Sequence, residues 1–139
     1  MGRERQNKEY LLHLLMQSSS LHDLLAILQS ICERLTLTRL NPKKQHFRDF
    51  QFTFFGLMVK AKGLLEMMVF RTEFIAQTVP EFKQIHSNLS RLMKKMQRAY
   101  SLIHSDKMIE GKEKIIECSK EYQAIFDSIC NIGSEMILQ

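Results

Sequence analysis

The longest apolar stretch of the chain, residues 46–78, has the hydrophobic spacing of an α-helix. One set of apolar residues recurs mostly at intervals of three and four, which places it on one helix face. This set is Phe47, Phe50, Phe54, Leu57, Ala61, Leu64, Met68 and Ile75. A second set, beside the first, is Phe52, Phe55, Val59, Phe70 and Phe74. Because a helix that is apolar over most of its circumference is usually buried, we predict a central helix with neighbours on several sides.

Two helices are predicted before this stretch. The first, over residues 3–17, is short, and the three consecutive serines at 18–20 are expected to end it. Its apolar side consists of Leu11, Leu14 and Leu15. Ser20 followed by Asp23 is typical of an N-cap with an acid in the first turn. A second amphipathic helix is therefore predicted over residues 20–38.

The central helix is predicted over residues 42–77, and two further helices follow it. Thr78 and Glu81 have the spacing of a capping box and flank a proline that suits a first helical turn, which predicts a helix over 79–104. The last helix is predicted over 106–132, with Asp106 in its cap and Gly133 as its stop. Apolar residues at heptad spacing mark both: Phe82, Ile85, Leu89, Leu92, Met96, Ala99 and Ile103, then Met108, Ile115, Cys118, Tyr122, Ile125, Ile129 and Ile132.

Charge is divided unevenly between these last two helices. Residues 80–104 carry five basic residues against one acid, whereas residues 105–139 carry four lysines against seven acids. Opposite charges on neighbouring helices favour their pairing. Consecutive heptad helices with a tight connection also imply antiparallel packing at a shallow angle. We therefore expect the basic and acidic helices to lie side by side.

Length and composition fit one helical domain over residues 1–139. The chain has 45% hydrophobic and 25% charged residues, which is ordinary for a globular protein. Only five glycines and two prolines are present, so turn chemistry for many strands is lacking. The fold class predicted is all-α: an antiparallel bundle of four main helices plus a short N-terminal helix.

Catalytic and membrane motifs are scarce. The five histidines and three cysteines fall in no metal-binding spacing, and the sequence contains no phosphate-binding loop or nucleophile elbow. We therefore expect a protein that is not an enzyme and uses no cofactor or metal. Lys60, Lys62 and Glu66 interrupt the most apolar run, so no transmembrane segment is predicted. Unpaired cysteines and the absence of a signal peptide favour a cytoplasmic or nuclear location.

The sequence contains two short leucine-rich segments with the pattern LxxLL. They are LLHLL at residues 11–15 and LHDLL at residues 21–25. They resemble the LxxLL box by which coactivators dock a leucine face into nuclear receptors, which implies helix-in-groove binding to a protein partner. The leucines also continue one apolar stripe as far as Leu35. Packing in the core is therefore the preferred interpretation of both segments.

The basic helix is a second candidate binding surface. A basic amphipathic helix can lie in a protein groove or on an anionic membrane. Here the regular heptad and the acidic helix that follows favour a simpler interpretation, in which the charges form a solvated face. A formal charge of +5 adds weak, non-specific attraction to nucleic acid.

Methionines suggest a third surface, because Met side chains adapt to irregular partners as well as filling cores. Met67 on the central helix and Met93 on the basic helix could line a groove between the two. We predict an intracellular interaction or adaptor module that binds another protein through a helical face or groove, with self-association left open. The alternative is a binder of anionic lipid or nucleic acid. The candidate partner-binding residues are Leu11, Leu14, Leu15, Met67, Met93, Arg91, Lys94, Lys95 and Arg98.

Overall fold

The computed structural model describes residues 2–35, 45–105 and 107–138, and within them it contains four helices and no strand. The helices are α1 (Gly2–Leu35), α2 (Gln45–Ala76), α3 (Phe82–His104) and α4 (Met108–Leu138). The predicted all-α bundle of four main helices is confirmed. Residues 42–44, where the central helix was predicted to begin, and the predicted cap residue Asp106 lie outside the described residues.

The four helices form a ring in which each helix packs on two others. Over the described residues, α1 contacts α2 and α4, and α3 contacts α2 and α4, while the diagonal pairs make no comparable contact. Asn7 hydrogen-bonds to Thr78 and Gln17 to Met67, so α1 and α2 run antiparallel. Short connections and antiparallel neighbours are the features of an up-and-down bundle.

Helix α2 is not the central helix that its composition predicted. In the ring it contacts only α1 and α3, so it has a single inward stripe like its neighbours. That stripe is Phe54, Met58, Ala61, Leu65, Met68, Thr72 and Ile75, all buried. Leu57 and Leu64 are half-buried beside it, whereas the side chains of Phe47 and Phe50 lie outside the described residues. The prediction was wrong because a four-helix ring covers only part of each helix.

The predicted short N-terminal helix is not a separate element, since α1 is continuous through the serine run. Its buried stripe keeps heptad spacing across that run: Leu11, Leu14, Ser18, Leu21, Leu25, Leu28 and Cys32. The hydroxyl of Ser18 donates to the main-chain oxygen of Leu14 at 2.6 Å, inside the helix. Because a serine can satisfy its hydroxyl in this way, serines do not have to end a helix.

Helix α3 buries the seven residues that its heptad predicted, but it begins at Phe82 without the predicted capping box. The hydroxyl of Thr78 accepts a 2.7 Å hydrogen bond from the side-chain amide of Asn7 and donates to the oxygen of Ile75. Glu81 occupies the N-cap position and makes no side-chain capping bond. Thr78 therefore ties α1 to the α2–α3 connection instead of capping α3.

Helix α4 extends to Leu138, so Gly133 is not the helix stop that was predicted. Gly133 is buried, and a Cβ atom there would lie 3.0 Å from the Cδ2 of Leu15. Glycine at this position lets α1 and α4 approach closely. The predicted antiparallel pairing of α3 and α4 is confirmed, because Lys95 forms an ion pair with Glu121 while Gly111 lies against Ile103.

Candidate functional site

The outer side of α2 carries large apolar side chains that the bundle leaves in solvent. The side chain of Phe52 is 83% exposed, that of Phe70 64% and that of Val59 54%. They are seven and eleven residues apart, so they lie along one line of the helix. Single exposed apolar residues are normal on a protein surface, but a line of them on one helix marks a surface that favours a partner.

Two glycines lie on the same side of α2. A Cβ atom at Gly56 or at Gly63 would have no atom of the described residues within 4 Å, so the bundle itself does not require glycine there. Each glycine in a helix interior destabilises it by about 1 kcal/mol relative to alanine. Packing inside the described bundle gives no compensation for that cost.

An open groove of about 580 Å³ runs between α1 and α2 beside these residues. From α1 it is lined by Ser20, Asp23 and Ile27, and from α2 by Lys60, Gly63 and Met67. We call the exposed surface formed by this groove and the outer side of α2 the α1/α2 face. Its apolar side chains are Met16, Ile27, Phe52, Val59, Met67 and Phe70, all exposed.

The charges on the α1/α2 face are few and separated. Asp23 is on the α1 rim, and its carboxylate lies 3.8 Å from the Nδ1 of the neighbouring His22. Lys60 is on the α2 rim and, among the described residues, it forms no ion pair. At the groove itself the α1 edge is acidic and the α2 edge is basic, whereas the outer side of α2 also carries the exposed carboxylate of Glu66, seven residues after Val59.

Polar and aromatic contacts between α1 and α2 fix the position of one helix on the other. The side-chain amide of Gln17 donates to the Sδ of Met67 at 3.5 Å, and its oxygen accepts from the Nε of Arg71 at 3.1 Å. The guanidinium of Arg71 lies 5.2 Å from the centre of the Tyr10 ring, within the range of a cation–π interaction. The two helices consequently present their exposed residues in a defined register.

The leucines predicted as partner-binding residues lie mainly in the core. Leu11 and Leu14 are fully buried, and Leu15 is half-buried against Gly133. The structure thus supports the core-packing interpretation of the LLHLL segment. In the folded bundle, Leu11 and Leu14 are not accessible to a partner.

The two predicted methionines lie on different parts of the bundle. Met67 is exposed in the α1/α2 groove and contacts Gln17 of α1. Met93 is half-buried on α3 and packs against the core. The structure does not bring them together in one groove between α2 and α3.

The four predicted basic residues lie along α3. Arg91 and Lys95 line a second groove, of about 460 Å³, between α3 and α4. Lys95 is half-buried, and Arg91, Lys94 and Arg98 are exposed. Arg91 donates to the side-chain oxygen of Asn88. The hydrogen bond to Glu121 raises the pKa of Lys95. Half of the basic cluster is therefore engaged within the protein.

The cysteines do not have the properties of nucleophiles. Cys32 and Cys118 are buried, and burial raises the pKa of each thiol to about 12. Cys130 is partly exposed, and burial raises the pKa of its thiol as well. Because the thiolate is the reactive form, the two buried thiols are inert at neutral pH. The described residues contain no group of three His, Cys, Asp or Glu that could hold a metal ion.

One segment, Arg5–Arg34 within α1, is long and apolar enough by length and composition to cross a membrane. The core helix of a soluble bundle passes the same test, because its inward stripe is apolar. Here that stripe is packed against the other helices, as the buried Leu14, Leu21 and Leu28 show. The segment is weak evidence for a membrane span.

The sequence pattern identified the residues of the α1/α2 face as apolar, but of these only Met67 was predicted to bind a partner. Phe52, Val59 and Phe70 were assigned to a buried surface, and Met16 and Ile27 were not selected. The available signal was the excess of apolar residues on α2 over the single stripe that a bundle can bury. Such an excess indicates either a fully surrounded helix or a docking surface, and only the fold distinguishes the two.

No protein-family model, curated protein or solved structure matches this chain. No relative therefore suggests a function for the α1/α2 face or for the groove between α3 and α4. Their exposed side chains indicate what each could bind.

Proposed function

We propose that this chain is a non-enzymatic interaction module that binds another protein through the α1/α2 face. The observation that carries the proposal is the exposed apolar line of Phe52, Val59 and Phe70 on α2. Burial of apolar surface contributes about 25 cal/mol per Å², so covering roughly 100 Å² of one phenylalanine contributes about 2.5 kcal/mol. Covering both rings therefore contributes about 5 kcal/mol toward binding, and the other apolar side chains of the α1/α2 face add to it.

The glycines on α2 support the same proposal. Gly56 and Gly63 weaken the isolated helix and relieve no contact within the described bundle. A missing side chain on an exposed helix face lets the backbone of another helix approach closely. A helical partner would therefore make use of both positions.

The free cysteines support an intracellular setting. All three thiols are unpaired, and two of them lie in the core. Unpaired buried thiols are typical of proteins from reducing compartments. We accordingly propose the cytoplasm or the nucleus as the place where the module acts.

A binding experiment with matched variants tests the proposal. The purified wild-type protein is immobilised, exposed to nuclease-treated cell lysate at physiological salt, and the retained proteins are identified by mass spectrometry. The test variant replaces Phe52 and Phe70 with serine, and the control replaces Ile109, an equally prominent side chain on α4 that is 71% exposed, with serine. We expect specific proteins to be retained by the wild type and the control and lost by the test variant. Equal retention by all three would refute a role for the α1/α2 face.

The basic side of α3 supports a second candidate function, the binding of anionic lipid or nucleic acid. Lys94 and Arg98 are exposed and, among the described residues, have no ion-pair partner. Binding through such charges falls steeply as salt rises. If Lys94→Glu and Arg98→Glu abolish retention on anionic vesicles or on nucleic acid, while Phe52→Ser and Phe70→Ser do not, this second function is favoured.

A further inference from the structure

We infer that the occupant of the α1/α2 face is a second copy of this chain, related by a twofold axis parallel to the helices. The inference rests on the proposed function, because it names the partner of the same face. Three features carry it: the register of α1 on α2, the position of the charges and the area available.

The register of α1 on α2 follows from side-chain contacts. Asn7 is level with Thr78, where the two side chains hydrogen-bond, and the rings of Tyr10 and Phe74 lie 4.6 Å apart. Further along, Gln17 bonds to both Met67 and Arg71. Each step forward along α1 therefore corresponds to one step backward along α2.

In this register, the exposed apolar side chains of the two helices are level with each other. Met16 is level with Phe70, and Ile27 is level with Val59. A twofold axis parallel to the helices lays α1 on α2 of the second copy and keeps every residue at its own level. Met16 then meets Phe70 of the second copy, Ile27 meets its Val59, and each contact occurs twice because the interface is isologous.

The side chains brought together distinguish this arrangement from the alternative twofold axis. With the axis parallel to the helices, Asp23 lies within about one helical turn of Lys60 of the second copy. An axis perpendicular to the helices, through the middle of the groove, would place α1 on α1 and α2 on α2. Asp23 would then face Asp23 of the other copy, a repulsion that Lys60 opposite the exposed Glu66 would offset, but Met16 would face Ser30. The apolar pairing of Met16 with Phe70 therefore favours the parallel axis.

The glycines fit the same register. Gly63 is level with Asp23, and Gly56 is level with Ser30, so the positions of α2 without a side chain oppose polar positions of α1 in the second copy. Close approach there brings the carboxylate of Asp23 onto the α2 backbone beside Lys60. The glycines thus gain a packing role that the single chain does not give them.

The area is sufficient for a stable dimer. In this register Ala76, the end of α2, is level with Tyr10, so α1 and α2 overlap over about 26 residues, which is about 39 Å at 1.5 Å per residue. Two adjacent helices, with axes about 8–10 Å apart, present a face about 20 Å wide. The resulting area of about 800 Å² equals the roughly 800 Å² per partner that a specific complex buries.

The test combines the oligomeric state with a cross-link that reports the axis. Light scattering after size exclusion, at a protein concentration of about 10–100 μM, is expected to give the mass of two chains. Phe70→Ser should weaken the dimer more than about tenfold, whereas Ile109→Ser should leave it unchanged. Circular dichroism confirms that both variants are folded, as expected for exposed positions.

For the cross-link, Ile27→Cys and Val59→Cys are introduced in separate chains that both carry Cys130→Ser, and the two proteins are mixed with mild oxidant. A parallel axis places position 27 of one copy against position 59 of the other, so a covalent dimer that contains one chain of each is expected. Ser134→Cys, exposed on α4, is the matched control and should remain monomeric.

Three results would overturn the inference. They are a monomer at every concentration, a dimer that Phe70→Ser does not weaken, and efficient cross-linking of Asp23→Cys to itself with none between Ile27→Cys and Val59→Cys. A monomer that still captures a partner in a Phe70-dependent manner would retain the proposed function and reject the second copy. A monomer whose captured proteins do not depend on Phe52 or Phe70 would reject both.

Discussion

The phenolic hydroxyl of Tyr122 donates a 2.7 Å hydrogen bond to the main-chain oxygen of Ser18, which joins the middle of α4 to the middle of α1. Both residues are buried, and the hydroxyl of Ser18 is itself bonded to Leu14. Burial raises the pKa of Tyr122, so its hydroxyl remains a donor at neutral pH. This contact fixes α1 and α4 in register at the serine run.

We expect Tyr122→Phe to lower the free energy of unfolding by about 1 kcal/mol, the usual net contribution of one buried hydrogen bond. Urea denaturation followed by circular dichroism measures the change. Tyr100→Phe is the control, because among the described residues the Tyr100 hydroxyl makes no hydrogen bond, and its stability should equal that of the wild type. Equal losses in both variants would show that the Tyr122 bond contributes nothing specific.

The continuity of α1 is tested by proline at an exposed serine. Ser19→Pro should destabilise the protein by about 3 kcal/mol or more, because proline removes a helical hydrogen bond and clashes with the preceding turn. Ser19→Ala, the control, should be neutral or slightly stabilising. If Ser19→Pro unfolded at the same denaturant concentration as Ser19→Ala, residues 18–20 would have to be a break between two helices.

These two predictions show why the serine run could not be interpreted from sequence. Serine is common at helix ends and turns because its hydroxyl competes for main-chain groups. The same hydroxyl can bond inside a helix, and packing against Tyr122 decides between the two outcomes. The heptad of α3, in contrast, was predicted residue by residue, since the polar residues around its apolar positions leave one face to bury.

Apart from Met67, the α1/α2 face was not predicted from the sequence, for a different physical reason. Periodicity identifies which residues of a helix are apolar, but whether a neighbour covers them depends on the number of helices around it. Two residues of the second apolar set pack against aromatic rings: Phe55 contacts Tyr100, and Phe74 contacts Tyr10. Phe52 and Phe70, from the same set, remain exposed.

The buried thiols predict a loss of stability at alkaline pH. Burial raises the pKa of Cys32 and of Cys118 from 9.0 to about 12, so these thiols stay protonated in the fold while they ionise in the unfolded chain. Their contribution to stability is therefore complete below pH 9 and is lost as pH rises toward 12, by about 1.4 kcal/mol per pH unit for each thiol. Urea titrations at several pH values measure this slope. Cys118→Ala should have a shallower slope than the wild type, and an unchanged slope would contradict the assignment.

The glycines predict opposite effects of one substitution. Gly111→Ala should destabilise the protein by about 1–3 kcal/mol, because its Cβ atom would overlap the side chain of Ile103. Gly63→Ala should stabilise the isolated chain by about 1 kcal/mol, since its Cβ atom meets no described atom. If α1 of a second copy packs closely at this position, Gly63→Ala should also weaken the dimer. A variant that is more stable and dimerises as well as the wild type would show that the glycine has no role in association.

A charge exchange tests the polar contact of the inferred dimer. Asp23→Lys places two basic groups together across the interface, next to Lys60 of the second copy, and should weaken dimerisation by about tenfold. Lys60→Asp should do the same. Because the parallel axis pairs these positions between copies, the double variant should recover most of the lost affinity, and sedimentation equilibrium of all four proteins gives the coupling.

The dimer built on the perpendicular axis gives a different result in the same experiment. Position 23 would face itself, so Asp23→Lys would exchange one like-charge pair for another, and Lys60→Asp would not rescue it. A matched control exchanges Lys94 and Glu117, exposed charges on α3 and α4 away from the α1/α2 face, and should leave the dimer unchanged. Recovery in the double variant alone therefore identifies both the interface and its symmetry.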